Sequence, residues 1–337
     1  MSSIALLDIW TPGRRGRYIR SEYTVSARRD LVIPASGMPR HAVAGVAVRG
    51  LESATAGGDL GGSKIRPGQN GAMVDVGGAP ELVALDVDGT LLRTGSPITA
   101  RVVAAVRAAV AAGTYVVITT GRTLLTTRPV FTELGLVEGH ALCSNGAVHI
   151  DVARGVPVTV RNFDPAPAVS ALRKLFPSMI FAVEKVGVGI WATGFSPGEF
   201  SIGDYVLVDD GALGSEPTPR LNGWWPDGSL EELLHRLRSL EVPGASWVHG
   251  EFGPWLTVAP DGVSKGWALE RLRTSLGIAP TRTLAIGDGY NDREMLEWAA
   301  HSVAMSNAPA DVRALADEVT ADVVDDGVAV VLERWFG

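Results

Sequence analysis

A chain of 337 residues, 46% hydrophobic and 20% charged, is long enough for two domains and a substantial core and has the composition of a soluble globular protein. A net charge of -7 argues against a nucleic-acid footprint, and a single cysteine, Cys143, excludes an internal disulfide and fits a reducing compartment. No apolar run approaches the roughly 18 residues that span a bilayer, and no secretory signal follows the N-terminal arginines, so the cytoplasm is the default location and no membrane partner is expected.

Residues 1–80 differ from the rest. Arg14, Arg15, Arg17, Arg20, Arg28, Arg29, Arg40 and Arg49 face few acids, and a glycine-rich tract runs from Gly57 to Gly78. The segment reads as a disordered leader, with a start at Met73 or a basic arm for nucleic acid as the other readings. Gly57 and Gly62 have P-loop spacing, but Ser63-Lys64 follows in the wrong order and no apolar strand precedes, which excludes a nucleotide P-loop.

From Leu82 onward strands alternate with helices, the pattern of a parallel sheet with crossover helices. Leu82-Val-Ala-Leu85 reads as a buried strand that delivers Asp86 and Asp88 to a sheet edge, where ligands of open α/β folds bind. Two acids so close need a stabilising partner, and a divalent cation is the natural one. The alternative is a plain Asp88-Gly89 turn.

Pro97 and Thr99 open a helix closed by Gly113. The strand Tyr115 to Thr120 ends in Gly121-Arg122, and the run from His140 ends at Asn145-Gly146. Three successive strands therefore finish in small or polar residues that can line one crevice.

Between residues 150 and 257 the pattern changes. Helices around Ala166 to Phe176 and Leu230 to Leu240, with strand-like runs at Ile180 to Val186, Gly189 to Thr193, Ser246 and Trp255, describe an inserted α+β domain. It holds Trp191, Trp224, Trp225, Trp247 and Trp255, which read as packing more than as a substrate platform. The first pattern resumes at Val263-Ser-Lys-Gly266 with a helix, the strand Thr283 to Asp288, a helix from Gly289, short strands near Ser302 and Glu318, and a final helix from Val328 to Trp335. The expected fold class is α/β: a Rossmann-like, doubly wound parallel core in residues 81–149 and 258–337, with an inserted α+β domain in 150–257.

Asp86-Val-Asp-Gly-Thr90, Thr120-Gly-Arg122, Ser144-Asn-Gly-Ala147, Lys265-Gly266, Gly287-Asp-Gly-Tyr-Asn-Asp292 and Val303-Ala-Met-Ser-Asn-Ala308 follow one another in an order and spacing that resemble the haloacid dehalogenase superfamily, and within it the Cof-type phosphatases. The likeness covers residues 82–337 and leaves the leader without a counterpart. It implies a Mg²⁺-dependent phosphatase for a small phosphorylated metabolite, with Asp86 as nucleophile forming an aspartyl phosphate. It also implies that Asp86 and Asp288 give carboxylate ligands to the ion and Asp88 its backbone carbonyl. The Asp88 side chain would then be free, raised in pKa by crowding among acids, and suited to protonate the leaving alcohol.

The other candidates keep a plainer role beside the functional one. Thr120 and Gly121 offer a hydroxyl and an N–H to phosphate, although Thr120 could instead cap a helix. Lys265 would stabilise the phosphoryl transition state, and a cation at a helix start demands an anion nearby. Asp288 and Asp292, four apart on one side of a first helical turn, suit a metal or simply the helix dipole, with Asp292 placed behind the ligands to orient a water or Lys265. Asn145 and Asn291 donate to phosphate or close turns, and Arg122 is a weaker candidate. No large lid fits between Asp86 and Thr120, so the lid is the insertion between Asn145 and Lys265, which resembles a C2-type cap. Lys185, Arg220, His249 and Glu251 are candidate substrate contacts within it. The rival functions are a phosphomutase or phosphotransferase of the same superfamily and a non-catalytic phosphometabolite-binding protein. The oligomeric state is not encoded in these patterns.

Overall fold

The structure is a computed structural model that describes residues 3–11, 17–25, 78–196, 203–238, 240–250 and 253–337. Its first strands, β1 (Ser3–Thr11) and β2 (Arg17–Val25), pair antiparallel inside the stretch read from sequence as a disordered leader. Both are nine-residue runs containing Ile and Thr, with Trp10 in the first and Tyr18 and Tyr23 in the second, residue types that favour extended backbone. Met73 and the Gly57–Gly62 tract lie outside the described residues.

The main domain starts with β3 (Leu82–Leu85), helix α1 (Ala100–Ala111), β4 (Tyr115–Thr119), helix α2 (Leu124–Leu134), β5 (His140–Cys143), β6 (Val148–Asp151) and β7 (Val156–Val160). The insertion then contributes α3 (Ala166–Leu175), β8 (Ile180–Lys185), β9 (Gly189–Ala192), β10 (Asp204–Leu207), the single turn α4 (Asp210–Leu213), β11 (Leu221–Trp224), α5 (Leu230–Leu237), β12 (Ala245–His249) and β13 (Trp255–Pro260). The core is completed by α6 (Lys265–Ser275), β14 (Thr283–Gly287), α7 (Arg293–Trp298), β15 (His301–Ala304), α8 (Ala310–Arg313), β16 (Glu318–Val319) and α9 (Gly327–Phe336).

Eight strands form the core sheet in the order β16-β15-β14-β3-β4-β5-β6-β7, parallel from β16 to β5 and antiparallel through β6 and β7. β3 lies between β14 and β4, fully buried along its whole length, which is why its sequence is an unbroken apolar run and not an alternation. Its side chains divide between the two faces. Val83 and Leu85 pack with Val102 and Val106 of α1 and Val328 and Leu332 of α9, whereas Leu82 and Ala84 pack with Leu269 of α6 and Met295 of α7. Helices thus cover both faces, and the sheet is doubly wound.

Two boundaries differ from those read in the sequence. β6 and β7 join the core sheet by antiparallel hairpins, so the insertion leaves after Val160 and not at residue 150. β13 belongs to the second sheet, which extends the insertion to Pro260 and not to 257. Exposed β7 carries Pro157, a residue tolerated because this strand is the sheet's edge. The inserted sheet runs β10-β9-β8-β11-β13-β12. Phe181, Val183, Leu221, Leu256 and Val258 on one of its faces pack with Val169 and Leu172 of α3 and Leu233 and Leu237 of α5. Among the described residues no helix is long and apolar enough to cross a membrane.

Candidate active site

Adjacent strands β14, β3, β4 and β5 end at Gly287, Leu85, Thr119 and Cys143, so the residues that follow each one meet along a single edge. Those residues are Asp288, Asp86, Thr120 and Ser144-Asn145, at the carboxyl ends where the sheet opens.

Asp86, Asp288 and Asp292 are all buried, and each presents a carboxylate oxygen within 4.8 Å of the others. The Lys265 ammonium, at the first turn of α6 and without solvent exposure, donates to Asp86 Oδ1 at 2.6 Å and to Asp292 Oδ1 at 2.5 Å. These are the anions that a lysine at a helix N-terminus requires, because the helix dipole opposes it by about 0.3–1 kcal/mol. Asp292 accepts from the Asp288 and Gly289 N–H groups at 2.9 and 2.8 Å through its other oxygen. Asp288 therefore follows the end of β14, and Asp292 caps the short turn after it; they do not share one side of a helical turn as their spacing suggests.

Thr90 donates to Asp288 Oδ1 at 2.6 Å, and Asn307 donates to Asp288 Oδ2 at 3.2 Å and to the Gly89 carbonyl at 2.9 Å. Thr90 and Asn307 were passed over as site residues in the sequence, although both lie inside its motifs. At Gly89, φ is 87°, and a Cβ there would lie 2.1 Å from Asp288 Oδ2. Only glycine lets the two acidic loops close on each other.

Burial, reinforced by the neighbouring Asp292, pushes the Asp86 carboxyl up to about 7 despite the Lys265 ammonium. For Lys265 burial acts downward, but Asp292 and Asp86 outweigh it and hold the ammonium above its ordinary value. One ammonium among three buried carboxylates leaves an excess of negative charge that a low-dielectric site tolerates poorly. The donor set, all hard carboxylate oxygen, fits a magnesium-like ion.

Asp88 departs from expectation. Its carboxylate is not free among acids and does not belong to the three-acid group. Arg122 grips it with two hydrogen bonds, both of 2.6 Å, and Thr94 donates to it at 3.2 Å. The guanidinium fork matches the carboxylate geometry and holds the side chain away from its like-charged neighbours.

Thr120 is buried and its hydroxyl oxygen accepts from the Arg122 N–H at 3.1 Å. Its helix-capping alternative fails, since α2 is capped by Thr123. Asn291 donates to Asn145 Oδ1 at 2.9 Å, bringing the two amides together beside Gly121.

Of the guessed cap contacts, Arg220 Nη1 donates to the Gly121 carbonyl at 3.0 Å, across the seam between cap and core. His249 sits on the same seam, its ring 4.6 Å from that of Tyr290. Lys185 is engaged inside the cap, bonded to Glu216 at 2.7 Å and lying over the Trp191 ring. Glu251 lies outside the described residues. The cap residue that sequence reasoning missed is Glu184, buried and bonded to Ser144 and to the Leu124 N–H. One acid in Ile180-Phe-Ala-Val-Glu-Lys185 looks like the solvent side of an alternating strand, and nothing local marks it.

A sequence model of haloacid dehalogenase-like hydrolases matches residues 83–182 and 228–332. A 5-amino-6-(5-phospho-D-ribitylamino)uracil phosphatase of Bacillus subtilis is 30% identical over 258 residues, covering 76% of this chain and 95% of that protein. An HMP-PP phosphatase of Serratia proteamaculans is 29% identical over 267 residues, covering 76% of this chain and 95% of that protein. The solved structure of a haloacid dehalogenase-like hydrolase from B. subtilis superposes with a TM-score of 0.65 at 25% identity, over 75% of this chain and 99% of that one. Since the family match takes in both halves of the core together with the flanks of the cap, the chain belongs to the haloacid dehalogenase-like hydrolases, as one of the family's phosphatases.

Proposed function

We propose that this phosphatase is Mg²⁺-dependent and removes phosphate from a small phosphorylated metabolite through an aspartyl phosphate on Asp86. The observation that carries the proposal is the buried Lys265 ammonium bridging Asp86 and Asp292 beside Asp288. Two relatives named for phosphorylated small molecules support the substrate class.

Asp86 and Asp288 would hold the ion, with Asp292 behind them fixing Lys265 and the Asp288 and Gly289 backbone. When bound, the ion supplies the charge that keeps Asp86 ionised and lets an anionic carboxylate meet an anionic phosphate. An Asp86 oxygen attacks phosphorus while the bond to the leaving oxygen breaks, and Asp88, released from the Arg122 fork and protonated before the reaction, gives that oxygen a proton. Water then attacks the aspartyl phosphate, Asp88 takes its proton back, and inorganic phosphate leaves as Asp86 is restored. Thr120, Gly121, Asn145 and Asn291 bind the phosphoryl oxygens, and Lys265 offsets the charge that builds on them.

Phosphate release from a panel of phosphorylated metabolites, with Mg²⁺ and with a chelator, tests the proposal. Asp86→Asn should keep the fold and lose turnover by at least about 10³-fold. Turnover surviving that substitution would remove Asp86 as nucleophile.

A further inference from the structure

We propose that Glu184 of the cap is a positioning residue for the phosphate pocket, holding Ser144 so that Asn145 keeps the left-handed backbone from which it meets Asn291. This role presupposes the phosphatase activity proposed above.

Ser144, Asn145 and Gly146 are three successive residues at positive φ, of 50°, 54° and 94°. Glycine adopts such angles freely, but serine and asparagine do so at a cost, and persist there only when their surroundings fix the backbone. The core supplies two ties: the Ser144 N–H donates to the Arg122 carbonyl at 2.8 Å, and the Asn145 N–H donates to the Thr120 carbonyl at 3.0 Å.

A third tie crosses between domains. The Ser144 hydroxyl donates to Glu184 Oε2, while the Leu124 N–H donates to Oε1 at 3.4 Å. Phe181 and Val183 of the same strand enter the cap's apolar core, so Glu184 emerges on the opposite face. At 3% exposure its carboxylate needs partners, and both oxygens find them in the core. Arg220, just before β11, adds a bond to the Gly121 carbonyl. When the cap lifts, the strained Ser144–Gly146 segment loses the Glu184 tie, so the phosphate pocket is assembled in step with closure over the substrate.

Steady-state kinetics on the whole protein, with inorganic phosphate as competitive inhibitor, tests this. Glu184→Ala should weaken inhibition by phosphate about tenfold and raise KM by the same factor, with kcat changed less than about threefold, as expected for loss of a charge-assisted bond that acts on binding. Glu184→Gln should restore most of the affinity, because its amide can accept from Leu124 and donate to the Ser144 hydroxyl. Ser144→Ala should match Glu184→Ala, and the double variant should be no weaker than either single one. Phosphate inhibition unchanged in Glu184→Ala, or additive losses in the double variant, would overturn the assignment. If Glu184→Ala does not fold, Ser144→Ala and Glu184→Gln answer by the same readouts. A wild type that releases no phosphate from any phosphorylated compound would count against the phosphatase proposal alone, because calorimetric binding of inorganic phosphate to the same variants still reports on Glu184.

Discussion

Replacing Lys265 by Met keeps the length of the aliphatic stem and deletes the ammonium. Two buried carboxylates, Asp86 and Asp292, then lose donors at 2.6 and 2.5 Å and gain none. Breaking a buried ion pair from one side costs about 3–5 kcal/mol, a large part of the roughly 5–15 kcal/mol that keeps a domain folded. The cost depends on pH, and its sign is fixed by Asp86. Its carboxyl releases a proton near 3.8 when unfolded and only near 7 when folded, because of burial and then Asp292. Between those values the folded state binds more protons, so cation-free stability falls as pH rises through the window. Without the ammonium the window extends higher still. Urea unfolding without divalent cations should therefore show Lys265→Met closest to wild type near pH 4.5 and furthest from it above pH 7. Phosphate release should fall by about 10²–10³-fold, the loss typical of removing a charged transition-state donor. Lys265→Arg should not rescue it, since a planar fork does not fit a slot with no exposed surface. A pH-independent stability difference, or kcat/KM within threefold of wild type, would refute the placing of Lys265 between the acids as the centre of the chemistry.

Other consequences can be checked separately. Mg²⁺ at about a hundred times its Kd should stabilise the folded protein by about 2.7 kcal/mol, and Asp288→Asn should abolish that gain in a thermal-shift measurement. Gly89→Ala places a methyl 2.1 Å from Asp288 Oδ2 in a left-handed backbone, so it should reduce phosphate release and weaken the Mg²⁺-dependent shift together. Glu318 is held down to about 2 by its hydrogen bond to His301, against burial and with help from Arg334. Being depressed when folded, it contributes stability above about 4.5 that is lost as pH falls toward 2. The stability gap between wild type and Glu318→Gln should accordingly close over that range of acid unfolding, and a constant gap would deny the linkage.

The core was legible because each strand that feeds the site is a short apolar run ending in a polar pair, and because Lys265 at a helix start advertised an unseen anion. Spacing along the chain did not reveal which side chain meets which. Asp86-Val-Asp88 looks like two acids aimed at one ion, yet Arg122 takes the second of them, and a guanidinium 34 residues away leaves no local trace. Glu184 was hidden for the same reason, its partner Ser144 lying 40 residues off in another domain. The cap boundary moved from residue 150 to Val160 because Val156–Val160 carries a proline, which suits an edge strand and leaves no sign in the sequence of which sheet the strand joins. Trp224 and Trp255, which the sequence marks as packing residues, stack on each other with ring centroids 6.1 Å apart, on paired positions of β11 and β13.

Asp86 precedes the insertion and Lys265 follows it, as do Asp288 and Asp292, so none of the four reacting or charge-balancing groups is contributed by the lid. A graft that exchanged residues 161–260 for a foreign roof would leave the reaction centre's own bonds untouched and change which molecules are admitted. Such a newcomer would have to replace the insertion's contacts to the host, an acceptor for Ser144 and the Leu124 N–H and a donor for the Gly121 carbonyl, or the strained hairpin turn is left with its two core ties alone.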